Sequence, residues 1–134
     1  MANRVESFKQ ATEFVPEDLL MLVIGCSNYS QVPTRVPWPD LTTTGSSVAA
    51  LNEFSDRFNP RYRFTHLNPS EVELDSAIKE IELTIRHTKM AVFVFIIGYF
   101  KAPASLLLPF KDHNTGHYVP FDLRRFTQWP GVFL

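Results

Sequence analysis

The sequence predicts an α/β fold, a three-layer sandwich in which a mainly parallel sheet carries helices on both faces. Two apolar runs point to it. Residues 19–25, LLMLVIG, and Met90–Ile97, MAVFVFII, are continuous rather than alternating, the pattern of strands covered on both sides. The third observation is the order between them. A capped helix, an alternating strand and a second capped helix separate the two runs, giving strand, helix, strand, helix, strand and hence right-handed crossovers.

Residues 1–18 form an N-terminal extension, in which residues 5–14 have a short helical pattern, and the first strand follows it. Residues 32–40 contain Pro33, Pro37 and Pro39, too many prolines for a helix or a central strand, so they form an extended loop. Thr44 or Ser46 then caps a helix whose apolar stripe is Val48, Leu51, Phe54 and Phe58, ended by Asn59-Pro60. Residues 62–67 alternate aromatic and polar side chains. They read as a second strand near a sheet edge, because Arg61, Arg63, Thr65 and Asn68-Pro69 accompany it.

Ser70 with Glu73 three residues on is a capping-box pattern, which satisfies two orphan backbone donors. Leu74, Ile78, Ile81 and Ile85 form the buried stripe of this second helix, and Asp75/Lys79 and Glu82/Arg86 lie one turn apart on its outside. The third strand begins at Met90. Beyond Tyr99 the pattern weakens: residues 105–110 suit a short strand, 112–118 a turn-rich loop, and 121–126 one or two helical turns.

With 134 residues the chain fits one domain, residues 19–134. The 20% of charged residues sum to −1 and are scattered, which offers no footprint for nucleic acid or an anionic membrane. Arg124-Arg125-Phe126, the one tight basic pair beside an aromatic, reads as the solvated face of a short helix. The single Cys26 excludes an intrachain disulfide, and the polar start MANRVESFKQ lacks the apolar core of a signal peptide. The apolar run of residues 90–100 is shorter than the roughly 20 residues a membrane helix needs. A cytoplasmic protein is expected.

Four landmarks share an order and spacing with the caspase and metacaspase domain. They are LVIGCSNY with its proline-containing loop, TTTGSSVAALNEF at a helix start, the strand ending in Gly98, and LLLPFKD at residues 106–112. The chain resembles that family from about Leu19 to Phe126. The resemblance implies a caspase-like sandwich, the N-terminal part of the large-subunit domain, incomplete at the C-terminus. In the family the third strand ends in Ser-Gly-His-Gly, whose His is the base of a Cys-His dyad. Here Tyr99 stands at the position of that His.

Ser47 falls where metacaspase-like members keep an acidic residue for a basic P1 side chain, and the family's cysteine strand would follow Leu134. A thiol attacks a peptide carbonyl only when a base holds its proton, and a phenol keeps its own at neutral pH. The expectation is therefore an inactive pseudopeptidase that works through protein interaction, or a remnant of a cysteine endopeptidase. It has no catalytic residue, cofactor or metal. One alternative is a fragment of an active caspase-family endopeptidase with a different base. Another is a small phosphate-binding module, since residues 42–47, TTTGSS, open a helix whose N–H groups suit a phosphate.

The remaining candidates have plainer readings. Cys26, just beyond the first strand and near Tyr99 in the expected sheet, reads as a small buried hydrophobe more than a reactive thiol. Asp112, His113 and His117 surround Asn114-Thr115-Gly116, a turn sequence, and a third well-placed metal ligand is not visible. His66 and His87 read as solvent-facing or capping residues, His87 at the negative end of its helix. Tyr99 and Phe100 are expected to fill a vestigial cleft. Nothing after Asp112 resembles the strand that follows the third in this family, and residues 105–110, with Pro109, would cover the gap poorly. The third strand is thus expected to be an apolar edge through which the chain self-associates or takes a strand from a protein partner.

Overall fold

The computed structural model describes residues 18–35, 37–87, 90–129 and 132–133. Along the chain run β1 (Asp18–Gly25), α1 (Thr44–Asp56), β2 (Tyr62–Leu67), α2 (Glu71–His87), β3 (Met90–Ile97), β4 (Tyr99–Lys101), β5 (Ser105–Lys111), β6 (Tyr118–Asp122), α3 (Arg124–Thr127) and β7 (Val132–Phe133). The fold is mixed α/β. The described residues form three helices and two small sheets: one parallel, in the order β2-β1-β3-β7, and one antiparallel, in the order β4-β5-β6.

β1 is central, with Leu20 opposite both Tyr62 of β2 and Val92 of β3. Leu20 to Ile24 are all buried, as the continuous apolar run requires. β2 is the edge its alternation predicts: Tyr62, Phe64 and His66 turn inward while Arg63, Thr65 and Leu67 are exposed. Arg61 pairs with Asp18 and Arg63 with Asp56 on its outer side.

Half of the expected capping box of α2 forms: Ser70 caps the helix, but the Glu73 carboxylate accepts from the Ser70 hydroxyl and not from its backbone N–H, so one backbone donor is satisfied where two were expected. The Glu73 N–H donates to Ser70 Oγ at 3.2 Å, and Ser70 Oγ donates to Glu73 Oε1 at 3.1 Å. Leu74, Ile78 and Ile81 are completely buried in one cluster with Leu20, Leu22, Ile24, Val92 and Val94, and Ile85 packs beside them. Each such side chain contributes about 1.5–3 kcal/mol. Asp75 pairs with Lys79 as its spacing predicts, at 3.0 Å, and also with Arg125 at 2.7 Å. Glu82, expected to face Arg86, accepts the indole N–H of Trp129 at 3.4 Å.

Helix α1 departs from its expected stripe. Its N-cap is Thr43, whose side chain makes no capping bond, and neither Thr44 nor Ser46 caps it. Thr44 is inside the helix with its hydroxyl donating to the Cys26 carbonyl at 3.1 Å, while Ser46 Oγ donates to Thr43 O at 2.9 Å. The buried positions are Thr44, Val48 and Ser55, whereas Phe54 and Phe58 are 45% and 51% exposed and meet edge to face. Gly25 explains the start of the helix. A Cβ there would lie 2.9 Å from Val48 Cγ2 and 3.0 Å from Thr44 Cγ2, so the first turns of α1 lie directly on the end of β1.

Three expectations about the C-terminal third need correction. β7 lies parallel to β3, pairing Val132 with Val92 and Phe133 with Phe93, so a strand after Asp112 does follow β3 in the sheet. Two residues carry no periodicity, which hid it. Residues 105–111 are a strand, but β5 pairs with β4 and β6 in the antiparallel sheet and leaves β3 alone. Residues 118–122 are strand β6, so Phe121 and Asp122 do not begin the helix expected over 121–126, and α3 keeps only four residues. The turn of residues 112–117 is as expected, with Gly116 at φ 75. The helical pattern of residues 5–14 and the side chain of His87 lie outside the described residues.

Candidate functional site

In open α/β sheets ligands bind at the carboxyl ends of the strands. β1 and β3 end side by side at Gly25 and Ile97, and the Cys26 N–H donates to the Ile97 carbonyl at 2.8 Å. Gly98 then lets the chain cross. A Cβ on it would lie 2.7 Å from Leu106 Cδ1, 2.8 Å from the Tyr29 hydroxyl and 3.3 Å from Cys26 Cβ. The loop after β1 is held from two sides. Asn68, in the left-handed region at φ 49, accepts from the N–H groups of Ser27 and Asn28 at 2.8 and 3.1 Å. Asp40 accepts the Ser30 N–H at 2.9 Å, and that bond holds its carboxyl below the usual range.

Above Gly98 sits an aromatic cluster of Tyr29, Trp38, Tyr99 and Tyr118, with ring centroids 4.7 to 5.8 Å apart. Such edge-on contacts add about 0.5–1.5 kcal/mol each. The hydroxyls also tie four segments together. The fully buried Tyr29 donates to the Leu107 carbonyl at 2.7 Å and accepts the Tyr99 N–H at 3.2 Å. Tyr118 donates to the Tyr29 carbonyl at 2.8 Å and accepts the Trp38 N–H at 2.9 Å. Tyr99 donates to the Pro39 carbonyl at 2.8 Å. The proline-rich loop, β4, β5 and β6 thus close on one another.

Cys26 is buried under this cluster, as its plain reading predicts. Burial pushes its thiol up to about 11, against a smaller opposing effect of its hydrogen bond to Tyr29, so it is protonated at neutral pH. Burial likewise raises the Tyr29 phenol above its ordinary range. Tyr99 meets the expectation that it fills the carboxyl edge, while Phe100 does not: it is 54% exposed. Neighbouring strand residues face opposite ways, so the pair cannot turn inward together.

The other candidates are dispersed. Ser47, half-buried in the first turn of α1, donates its N–H to Thr43 O at 3.0 Å, and among the described residues no hydrogen bond joins it to Tyr99. His66 is not solvent-facing: its Nε2 is buried without a hydrogen-bond partner among the described residues. Asp112 closes its turn by accepting the Asn114 N–H at 3.0 Å, and His113 and His117 are exposed. Among the described residues no group of three metal-ligating side chains forms. Gly45, at the start of α1, faces open space. Arg124 and Arg125 are each paired with an aspartate, Asp122 and Asp75. Among the described residues no helix is long and apolar enough to cross a membrane.

Sequence reasoning missed Trp38 and Tyr118. Their only signal was a lone Trp between prolines and a Tyr closing a turn, neither of which reveals a partner 80 residues away. Beside the cluster a cavity of about 450 Å³ opens between the proline-rich loop and the antiparallel sheet. Compared with known proteins, the chain matches no family model, no curated protein and no solved structure.

Proposed function

We propose that the chain is a catalytically inactive caspase-like domain, a pseudopeptidase that acts by binding protein. Tyr99 carries the reading. In the family that the four landmarks resemble, the residue after the strand-three glycine is the base; here it is a phenol wedged between Tyr29 and Trp38 and bonded to Pro39. The strand order β2-β1-β3 is the order the resemblance implies, and β7 occupies the neighbouring place of the family's cysteine strand. α1 packs over Gly25 and α2 belongs to the cluster around Leu20 and Leu22, an arrangement that suits a three-layer sandwich. A cysteine supplied beyond β7 would still meet no base.

The purified chain is expected to leave peptides with acidic or basic P1 residues intact, with Tyr99→His restoring nothing because the nucleophile is still missing. Steady cleavage abolished by Cys26→Ala would contradict the reading. The binding surface proposed is the outer edge of β3, where among the described residues β7 pairs with Val92 and Phe93. Sedimentation should find self-association. A stable monomer with slow amide exchange from Val94 to Ile97 would remove this surface.

A further inference from the structure

The cavity beside the aromatic cluster has the make-up of a ligand site. Strand register fixes its floor. Leu107 and Pro120 stand opposite one another on one face of the antiparallel sheet, Lys101 joins that face two residues after Tyr99, the partner of Leu107, and Phe100 also lines the space. The proline-rich loop supplies the roof through Thr34 and Trp38, and Trp38 is fixed there by its backbone bond to Tyr118 and its ring contact with Tyr99. The walls are therefore rigid, and a volume of about 450 Å³ lies within the range of small-molecule sites.

Three observations state the chemistry of the occupant. Trp38 and Tyr118 line the space with aromatic surface, which favours a planar ring. Thr34 Oγ1 is buried and has no hydrogen-bond partner among the described residues, an unmet polar group in the wall that a ligand hydroxyl or amide would satisfy. Lys101 is exposed and makes no ion pair among the described residues, leaving a cation at the cavity. The one carboxylate in the lining, Asp112, already accepts from Asn114 and lies past the far end of β5, whereas Lys101 stands opposite Ser105 at its near end. No ion pair joins the two among the described residues.

We propose that this cavity binds a small planar aromatic acid, with its ring against Trp38, its carboxylate toward Lys101 and a polar substituent on Thr34 Oγ1. Such binding does not depend on the peptidase resemblance.

The test is a titration of the full chain with 2-naphthoate, followed by the Trp38 indole N–H signal in proton–nitrogen spectra and assigned with Trp38→Phe. A saturable shift with Kd on the order of 1 mM is expected for a ligand of this size. Lys101→Glu, an exposed change that leaves the fold intact, should weaken binding about fivefold, and 2-naphthylmethylammonium should bind about fivefold more weakly than the acid. 6-Hydroxy-2-naphthoate should bind more tightly than 2-naphthoate, with the gain lost in Thr34→Val. Absence of a saturable Trp38 shift at roughly ten times that concentration would overturn the proposal. Equal affinity for the acid in the original chain and Lys101→Glu, or for the acid and the ammonium, would overturn it too.

Discussion

The helix α2 core and the aromatic corner above Gly98 are both buried, yet they are held by different physics. In the first, Leu74, Ile78 and Ile81 meet β1 and β3 through apolar contact alone, and each residue contributes through the water it leaves. In the second, most of the binding passes through hydroxyls: Tyr29, Tyr99 and Tyr118 each reach a backbone carbonyl in another segment. The apolar core responds to the volume removed from it. The corner responds to individual hydrogen bonds, and losing the Tyr29 or Tyr118 hydroxyl strands a buried backbone carbonyl.

Ile78→Ala should show the larger effect. It removes a fully buried side chain from the middle of the cluster and should lower unfolding free energy by about 2–5 kcal/mol in urea melts. A loss below about 1 kcal/mol would mean that α2 packs more loosely than described.

Tyr29→Phe keeps the ring and deletes only the hydroxyl. The Leu107 carbonyl and the Tyr99 N–H then lose their partner, and a cost of about 2–3 kcal/mol is expected, with faster amide exchange at Tyr99. An unchanged Tyr99 amide would show that the corner depends on ring packing and not on hydroxyls.

The corner should also carry an alkaline sensitivity that the α2 core lacks. The Cys26 thiol is raised by burial from its ordinary 9.0 to about 11, so between these values the unfolded chain releases a proton that the folded chain keeps. Stability from this group is complete below pH 9.0 and is lost as pH rises toward 11. The raised Tyr29 phenol acts in the same direction. Melts across that window should show a falling midpoint that is less steep in Cys26→Ala; equal slopes would separate the thiol from the effect.

Ser70→Ala sharpens the comparison at its small end. The Ser70 cap sits on the exposed lip of α2, and its loss should cost about 1 kcal/mol without touching either buried region.

The same contrast decides what could be read from the sequence. The parallel sheet, the Ser70 cap and the α2 stripe were legible because apolar runs and cap chemistry are local signals. The α1 stripe was misread, since Phe54 and Phe58 fit the helical period while the buried positions are Thr44 and Val48, which meet Gly25, and Ser55. β4, β6 and β7 are two to five residues long, too short to show a period. Of the site, the Tyr99 position was legible through its motif. Trp38 and Tyr118 were not, because their pairing is set by where β6 lands against the proline-rich loop.

The central claim is that the carboxyl edge of the parallel sheet is closed by Tyr99 and its neighbours, with Cys26 sealed beneath. Alkylation of the single cysteine by iodoacetamide at pH 8 tests it most directly. Labelling of the native chain should be slow, should accelerate steeply in urea, and should rise in Tyr29→Phe. Rapid labelling of the native chain at the rate of the unfolded one would mean that the edge is open and the thiol is available for chemistry.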